Sequence, residues 1–339
     1  MVLVTGGTGL VGSHLLLQLL KKGAFVKAIH RKNSDLQKVK EVFSFYHENP
    51  GELFDRIQWV EADINDIAAL ELAFKDITLV YHCAALISFN PNDFSSLQKI
   101  NKVGTENIVN LCIDKNIKKL CYVSSIATIG RSTTGKPVNE ENEWNDMYAN
   151  VYANSKHFAE MEVWRGTQEG LSAVIINPGL ILGPGYWENG SGLFFKTCAK
   201  GMRFYFPGGT GFISVGDVVK IMVQLMDSSI KNERFIAVAE NLSFKNILDA
   251  ISKGFNRPPP RVELKFWHLE IFWRLDWLLN LTTGKKRKLT KQGLASLRNP
   301  QVYDNSKVQE ALNMDYERIQ SCISKSCEKY MEAHSASFT

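Results

Sequence analysis

Residues Met1 to Gly12 read MVLVTGGTGLVG: a short apolar run, Val2-Leu3-Val4, followed by Thr5-Gly6-Gly7-Thr8-Gly9-Leu10-Val11-Gly12. The run is too short for a helix and too apolar for a surface loop, so it reads as a buried strand. The glycines permit a tight turn and a close approach of backbone to a bound group. Ser13 to Leu20 (SHLLLQLL) then reads as a helix whose N-terminus points back at the turn. Free N–H groups and the helix dipole favour an anion there, most often a pyrophosphate. Gly7-x-Gly9-x-x-Gly12 fits the dinucleotide fingerprint, and Gly6-x-x-Gly9-x-x-Gly12 fits its variant. A glycine pattern alone is weak; strand before and helix after give it weight.

The rest of the composition narrows the classes. With 339 residues, 45% of them hydrophobic, the chain can bury the core of one large or two smaller domains. The formal net charge of +5 is mild, and Lys285-Lys286-Arg287-Lys288, the one basic block, reads as a solvated loop. No accompanying motif supports nucleic-acid binding, so no nucleic-acid partner is expected. Cys83, Cys112, Cys121, Cys198, Cys322 and Cys327 are scattered without metal-ligand spacing. They read as reduced thiols of a cytoplasmic protein, and no metal is expected. No signal peptide precedes the first strand, so the fold is expected to begin at residue 2.

The first 125 residues alternate strand and helix patterns. Strands are expected at 24–30, 57–62, 79–83 and 119–124, with helices at 68–74 (capped by Asn65 or Asp66) and 103–114. Such alternation implies right-handed crossovers and a parallel sheet, with ligands beyond the carboxyl ends of the strands. The residues just after each strand therefore carry the argument. After strand two stands Arg31, then Lys32, where an acidic residue would take a ribose 2′-hydroxyl and an arginine suits a 2′-phosphate; a plain surface arginine is the alternative. After strand three, Asp63 is placed for an adenine or serves as a turn residue. After strand four, Ala84 and Ala85 leave room for a cofactor. After strand five come Ser124 and Ser125, then a polar loop (130–145) leading to Tyr152-Ala-Asn-Ser-Lys156. On a helix, Tyr152 and Lys156 share a face, and an ammonium nearby favours phenolate over phenol.

Taken in order, Thr5 to Gly12, Asp63-Ile64, His82-Cys83-Ala84-Ala85, Asn101-x-x-Gly104-Thr105, Val123-Ser124-Ser125, Tyr152-x-x-x-Lys156, Asn177-Pro178-Gly179 and Gly183-Pro184-Gly185 resemble the extended branch of the short-chain dehydrogenase/reductase superfamily, the NAD-dependent epimerase/dehydratase family. Within it the chain is most similar to dihydroflavonol-reductase-like and 3β-hydroxysteroid-dehydrogenase-like proteins. The resemblance runs from Met1 to about Asp217. It implies an α/β fold, a doubly wound parallel Rossmann sheet with a smaller, mostly helical substrate domain interleaved in the C-terminal half. The nucleotide domain is expected over 1–176, with 211–240 returning to it, and the substrate domain over 177–210 and 241–335. By the same resemblance Tyr152 is the general acid for carbonyl reduction and Lys156 binds the nicotinamide ribose and lowers the Tyr152 pKa. Ser125 bonds the substrate oxygen, with Ser124 as its substitute or a cofactor contact, and Asn101 supports the catalytic group. Gly6, Thr8, Gly9, Leu10, Val11, Gly12, Arg31, Asp63, Ile64, Ala84, Ala85, Pro178 and Gly179 complete the cofactor set. Arg31 fits NADP, with NAD as the alternative cofactor. Family members also imply a homodimer through the helices of Asn101 and Tyr152.

The implied activity is reduction or oxidation of a carbonyl/alcohol pair. An NAD-dependent sugar-nucleotide epimerase and a non-catalytic cofactor sensor are the alternatives; the intact Ser125, Tyr152 and Lys156 weigh against the sensor. Ile126-Ala127-Thr128 stands where sugar-nucleotide dehydratases place an acidic pair, which weighs against dehydration. Beyond Asn177 the aromatics Tyr186, Trp187, Phe194, Phe195, Phe204, Tyr205 and Phe206 read either as pocket wall or as small-domain core. With Phe89, Tyr186 and Trp187 are expected to line a pocket for a bulky, fairly apolar small molecule. Phe266 to Leu281 (FWHLEIFWRLDWLLNL) has helical periodicity with two apolar stripes: Phe266, Leu269, Trp273, Trp277, Leu281 and Trp267, Ile271, Leu275, Leu278. It is too short and too charged to span a bilayer. A lid or small-domain helix is the first reading, a membrane-surface helix aided by Lys285 to Lys288 the second, and an oligomer contact the third. Tyr316 to Ala333 reads as the closing helix.

Overall fold

The computed structural model describes residues 1–132, 135–283, 297, 298 and 300–335; the side chains of 148 and 278–283 are not described, and the basic block Lys285 to Lys288 lies outside the described residues. In the first half, β1 (Val2–Thr5), α1 (Leu10–Lys21), β2 (Val26–His30), α2 (Gln37–Ser44), α3 (Pro50–Phe54), β3 (Gln58–Glu61), α4 (Ile67–Ala73), β4 (Leu79–His82), α5 (Phe94–Leu97), α6 (Gly104–Asp114), β5 (Lys119–Val123) and α7 (Val151–Gln168) follow one another. A π-helical stretch, Gln98–Val103, joins α5 to α6. The second half holds β6 (Ala173–Pro178), β7 (Leu180–Leu182), α8 (Gly192–Ala199), β8 (Phe204–Tyr205), β9 (Gly209–Ser214), α9 (Val215–Asp227), β10 (Glu233–Ala237), β11 (Glu240–Ser243), α10 (Phe244–Gly254), β12 (Val262–Glu263), α11 (Phe266–Thr283) and the helices Ser306–Leu312 and Ile319–Ala333.

Seven strands form one parallel sheet in the order β10-β6-β5-β4-β1-β2-β3. Strand side chains alternate between two cores because successive residues point to opposite faces. Val4, Ala28, Tyr81, Cys121 and Val174 pack with Leu15, Leu16 and Leu19 of α1 and Val218, Ile221 and Met222 of α9. Leu3, Ile29, Val80, Leu120 and Ile175 pack with Leu70 of α4, Ile108 and Val109 of α6, and Ala159 and Val163 of α7. The inner strands, covered on both faces, are mostly apolar, whereas the edge strand β3 exposes Gln58 and Glu61. Asp66, of the two residues read as caps, accepts from the Ala69 N–H at 3.1 Å and starts α4.

Two short sheets depart from the sequence reading. β7, β9 and β11 form a three-stranded sheet, and β8 pairs with β12. β9 therefore pairs within the three-stranded sheet, though its Ile213 packs with α9 in the core of the large sheet, and from 211–240 β10 pairs with the large sheet. A third core joins Leu182, Trp187, Phe195, Phe212, Ile251, Ile323 and Tyr330 around α8, α10 and the closing helix. In α11 the stripe of Phe266, Leu269 and Trp273 turns inward, with Leu269 buried, whereas Trp267, Ile271 and Leu275 stand exposed. Trp277, assigned to the inward stripe, is exposed as well. Among the described residues no helix is long and apolar enough to cross a membrane, and no group of His, Cys, Asp or Glu could hold a metal ion. All six cysteines are free thiols.

Candidate active site

The glycine turn lies where β1 meets α1, at the carboxyl edge of the sheet. Gly6 has φ +69°, and a Cβ there would sit 2.6 Å from the Ala84 amide nitrogen. A Cβ on Gly12 would fall on the Gly6 carbonyl oxygen and lie 2.8 Å from Gly7 Cα. These contacts fix the turn to glycine at 6 and 12. Gly9 is the N-cap of α1 and has no side chain to satisfy the first amides. The first N–H with a helical partner is that of Ser13, which bonds the Gly9 carbonyl at 2.9 Å. The amides of Leu10, Val11 and Gly12 are thus left for an anion, and Thr8 to Val11 are only partly covered.

Beyond β2 and β3 a cleft of about 460 Å³ is lined by Arg31, Lys32, Asn33, Glu61, Asp63 and Asp66. Arg31 is exposed, and its backbone N–H is pinned by Ser34 Oγ at 3.0 Å. Asp63 is exposed and folds an Asx turn over Asn65. Ile64 is buried against Gly104, so only its backbone can meet a ligand; its carbonyl accepts from Asn107 at 3.0 Å. Ala84 is partly covered and Ala85 exposed beside the glycine turn, and Pro178 and Gly179 close the edge at the end of β6.

Asn150 caps α7 by accepting from the Ala153 N–H at 2.8 Å, which sets the first turn that carries Tyr152. The Tyr152 hydroxyl bonds Ser125, and burial raises its pKa to about 12 against that bond. Lys156, expected to lower it, is not among the groups that shift it here. The Lys156 ammonium is held elsewhere, donating to Tyr122 Oη at 2.6 Å and to the Val123 carbonyl at 2.8 Å. Burial pulls Lys156 down to about 7, partly offset by the Glu160 charge. A phenol so shifted is fully protonated at neutral pH and is poised to give a proton.

The two serines separate. Ser125 faces Tyr152, and its own Oγ accepts from the Ala127 N–H at 3.1 Å. Ser124 is buried and donates to Glu160 Oε2 at 2.6 Å, which commits its hydroxyl proton. Glu160, which the sequence reading did not single out, is fully buried. It also accepts from Thr128 at 2.8 Å, Asn177 at 2.9 Å and Arg234 at 3.2 Å. Asn177 also donates to the Ser125 carbonyl at 3.2 Å, and the Thr128 hydroxyl, 2.8 Å from that carbonyl as well as from Glu160, has a single proton for the two acceptors. The only sequence signal for Glu160 is its place one helical turn beyond Lys156.

Asn101 lies in the π-helical stretch, a geometry frequent at functional sites. It is buried, brackets Leu86 by accepting from its N–H at 2.7 Å and donating to its carbonyl at 3.0 Å, and reaches Ser155 of α7 at 2.9 Å. It therefore positions the loop and helix and does not touch Tyr152. Of the expected pocket aromatics, Phe89 meets Tyr152 edge-on at 5.5 Å and is half exposed. Trp187 is core: it packs on Phe45, Phe195 and Tyr330. Tyr186, at φ +55°, sits beside Ser13 in the first turn of α1, away from Tyr152. β7 leads the chain back over α1 and α2 before α8 begins, which sets Tyr186 beside α1 and Trp187 in the core of the smaller sheet.

Comparison with known proteins agrees with this architecture. Over 330 residues the chain is 26% identical to a putative dihydroflavonol 4-reductase of Synechocystis sp., covering 94% of this chain and 91% of the relative. It is 26% identical over 289 residues to UDP-glucose 4-epimerase of Vibrio cholerae, covering 81% of each. The solved structure of gox2253 superposes with a TM-score of 0.82 at 23% identity over 98% of both chains, a likeness of fold. The sequence profile of the NAD dependent epimerase/dehydratase family matches residues 2–238, and the chain belongs to that NAD(P)-binding enzyme family.

Proposed function

We propose that the protein is an NADP-dependent oxidoreductase that interconverts a carbonyl and a secondary alcohol on a bulky, fairly apolar small molecule. The observation that carries this is the Tyr152 hydroxyl bonded to Ser125 beside the exposed ring of Phe89. The glycine cradle at 6–12 and the unpartnered first amides of α1 suit a pyrophosphate, so the dinucleotide fits. Arg31, Lys32 and Asn33 line the cleft where a 2′-phosphate would be neutralised; Glu61, Asp63 and Asp66 face them and suit the ribose and adenine. When bound, the nicotinamide supplies the hydride. Tyr152 gives its proton to the substrate oxygen, and Ser125 donates to the same oxygen and orients it. Lys156 offers an N–H to the cofactor ribose, and Asn101 keeps α7 and the loop at Leu86 in register. Pro178 and Gly179 border the nicotinamide, and Ala84 and Ala85 leave room for it. We place the protein in the cytoplasm as a homodimer through α6 and α7, near which Phe94, Val103, Phe158 and Met161 are exposed.

The first test is titration of the purified protein with NADPH and NADH by fluorescence, followed by a ketone and aldehyde screen. Preference for NADPH, reversed by Arg31→Asp, and a loss of turnover of about 10²–10⁴-fold in Tyr152→Phe with cofactor binding kept are expected. The Vibrio cholerae relative favours a second reading, sugar-nucleotide epimerisation with bound NAD. Tightly held NAD+ that survives purification, with no net reduction of any carbonyl, would select it.

A further inference from the structure

A continuous chain of buried hydrogen bonds runs under the cofactor cradle and ends on Lys156. The Ala84 N–H donates to Thr5 Oγ1 at 3.2 Å, and Thr5 Oγ1 lies 2.6 Å from His82 Nδ1. His82 Nε2 lies 2.9 Å from Thr105 Oγ1, and the Thr105 hydroxyl bonds Tyr122. Tyr122 Oη accepts from Lys156 at 2.6 Å. The five side chains come from β1, β4, α6, β5 and α7, and none is more than 1% exposed. The Tyr122 ring stacks on His82, centroids 5.4 Å apart, and Lys156 Nζ stands 4.3 Å from the centre of the Tyr122 ring.

The chemistry of these groups makes the chain a brace. A lysine ammonium is a point charge on a flexible four-carbon stem, so its direction is set by its partners. It has three donors; Tyr122 and the Val123 carbonyl take two. Burial and the Lys156 charge keep His82 neutral, its pKa down at about 3. One ring nitrogen then donates and the other accepts, so His82 links Thr5 and Thr105 without bringing a second charge. No member reaches solvent, so the chain holds position and is not a route for protons to water.

We propose that Tyr122, backed by Thr105, His82 and Thr5, is a positioning residue that fixes the Lys156 ammonium beneath the glycine turn and leaves its third N–H for the cofactor. This rests on the assignment of Lys156 to the site, but it is measured without turnover. The probe is the titration of Lys156 itself, followed in carbon-13 lysine-labelled full-length protein by NMR, its signal identified by its loss in Lys156→Arg. Tyr122→Phe keeps the ring and removes the acceptor, so the Lys156 midpoint should fall by about one pH unit, tenfold in the ammonium equilibrium. Thr105→Val should move it in the same direction by less, Thr105→Ser should restore it, and Tyr122→Phe/Thr105→Val should match Tyr122→Phe alone. Ile108→Val, buried in the same helix but outside the chain, should leave the midpoint in place. An unmoved midpoint in Tyr122→Phe, or an equal shift in Ile108→Val, overturns the proposal. If Tyr122→Phe does not fold, Thr105→Val against Thr105→Ser decides it. A shift in Tyr122→Phe in a protein that reduces no carbonyl would support the brace and sink the reductase reading alone.

Discussion

Replacing Glu160 with alanine should be the most damaging single change to the site that touches no ligand. The carboxylate is fully buried and accepts from Ser124, Thr128, Asn177 and Arg234 at 2.6 to 3.2 Å. Breaking a buried ion pair from one side costs about 3–5 kcal/mol. Arg234 is 20% exposed and regains some water, which lowers its share. Ser124 and Thr128 lie 3.5 Å apart and can turn toward each other, which lowers theirs. Asn177 keeps Thr128 and the Ser125 carbonyl. The expected loss is therefore about 3–4 kcal/mol, toward the lower end of that range, and large against a domain stability of about 5–15 kcal/mol. Glu160→Gln keeps one acceptor and should lose about half as much. Glu169→Ala, which removes an exposed partner of Arg165 on the same helix, should change little. Urea unfolding read by tryptophan fluorescence measures all three. Equal losses for Glu160→Ala and Glu169→Ala would refute the reasoning, because they would mean the buried carboxylate is compensated by water or repacking.

Gly12→Ala should both destabilise the β1–α1 turn and weaken cofactor binding, since the added methyl meets backbone of Gly6 and Gly7 that cannot swing aside; urea unfolding and titration with NADPH check it. Trp187→Ala should cost about 3–5 kcal/mol in stability and leave the substrate KM unchanged, as expected of core; a raised KM in a fully folded variant would return it to the pocket. Burial lowers His82 to about 3 and His14 to about 4, so between these values and about 6.5 the unfolded chain binds more protons. Their contribution is present above about pH 6.5 and lost as pH falls, with a slope of about 1.4 kcal/mol per pH unit for each histidine; urea unfolding across that range in wild type and His14→Gln measures it.

How far the sequence could be read follows from the physics of each part. The inner strands of the large sheet were legible because burial on both faces leaves a mostly apolar run, and the glycine turn because close backbone approach forbids side chains at Gly6 and Gly12. α2 and α3 went unread: five of the eight residues of α2 are charged or polar around Val39, Val42 and Phe43, and α3 is five residues long. Aromatic clusters do not announce whether they wall a cavity or fill a core, and Trp187 was assigned to the wrong one. Tyr152 and Lys156 were placed by spacing, but spacing could not show that Tyr122 on a different strand takes the ammonium. Glu160 stayed hidden because a carboxylate is usually solvated, and its partners come from β6, β10 and the segment between β5 and α7.

Besides the passage from the helix Ser306–Leu312, whose Val308 packs in the large-sheet core, to the closing helix, three passages link the large sheet with the three-stranded sheet: Gly179 between β6 and β7, the junction of β9 with α9 at Ser214, and Val238–Ala239 between β10 and β11. They lie side by side, because β7, β9 and β11 are neighbours and the Gly179 N–H bonds the Ala237 carbonyl at 3.0 Å. Neighbouring backbone links of this kind resist sliding of the three-stranded sheet along the edge of the large one, and Ile213 of β9, packed in the large-sheet core, ties the two sheets together by side chain as well.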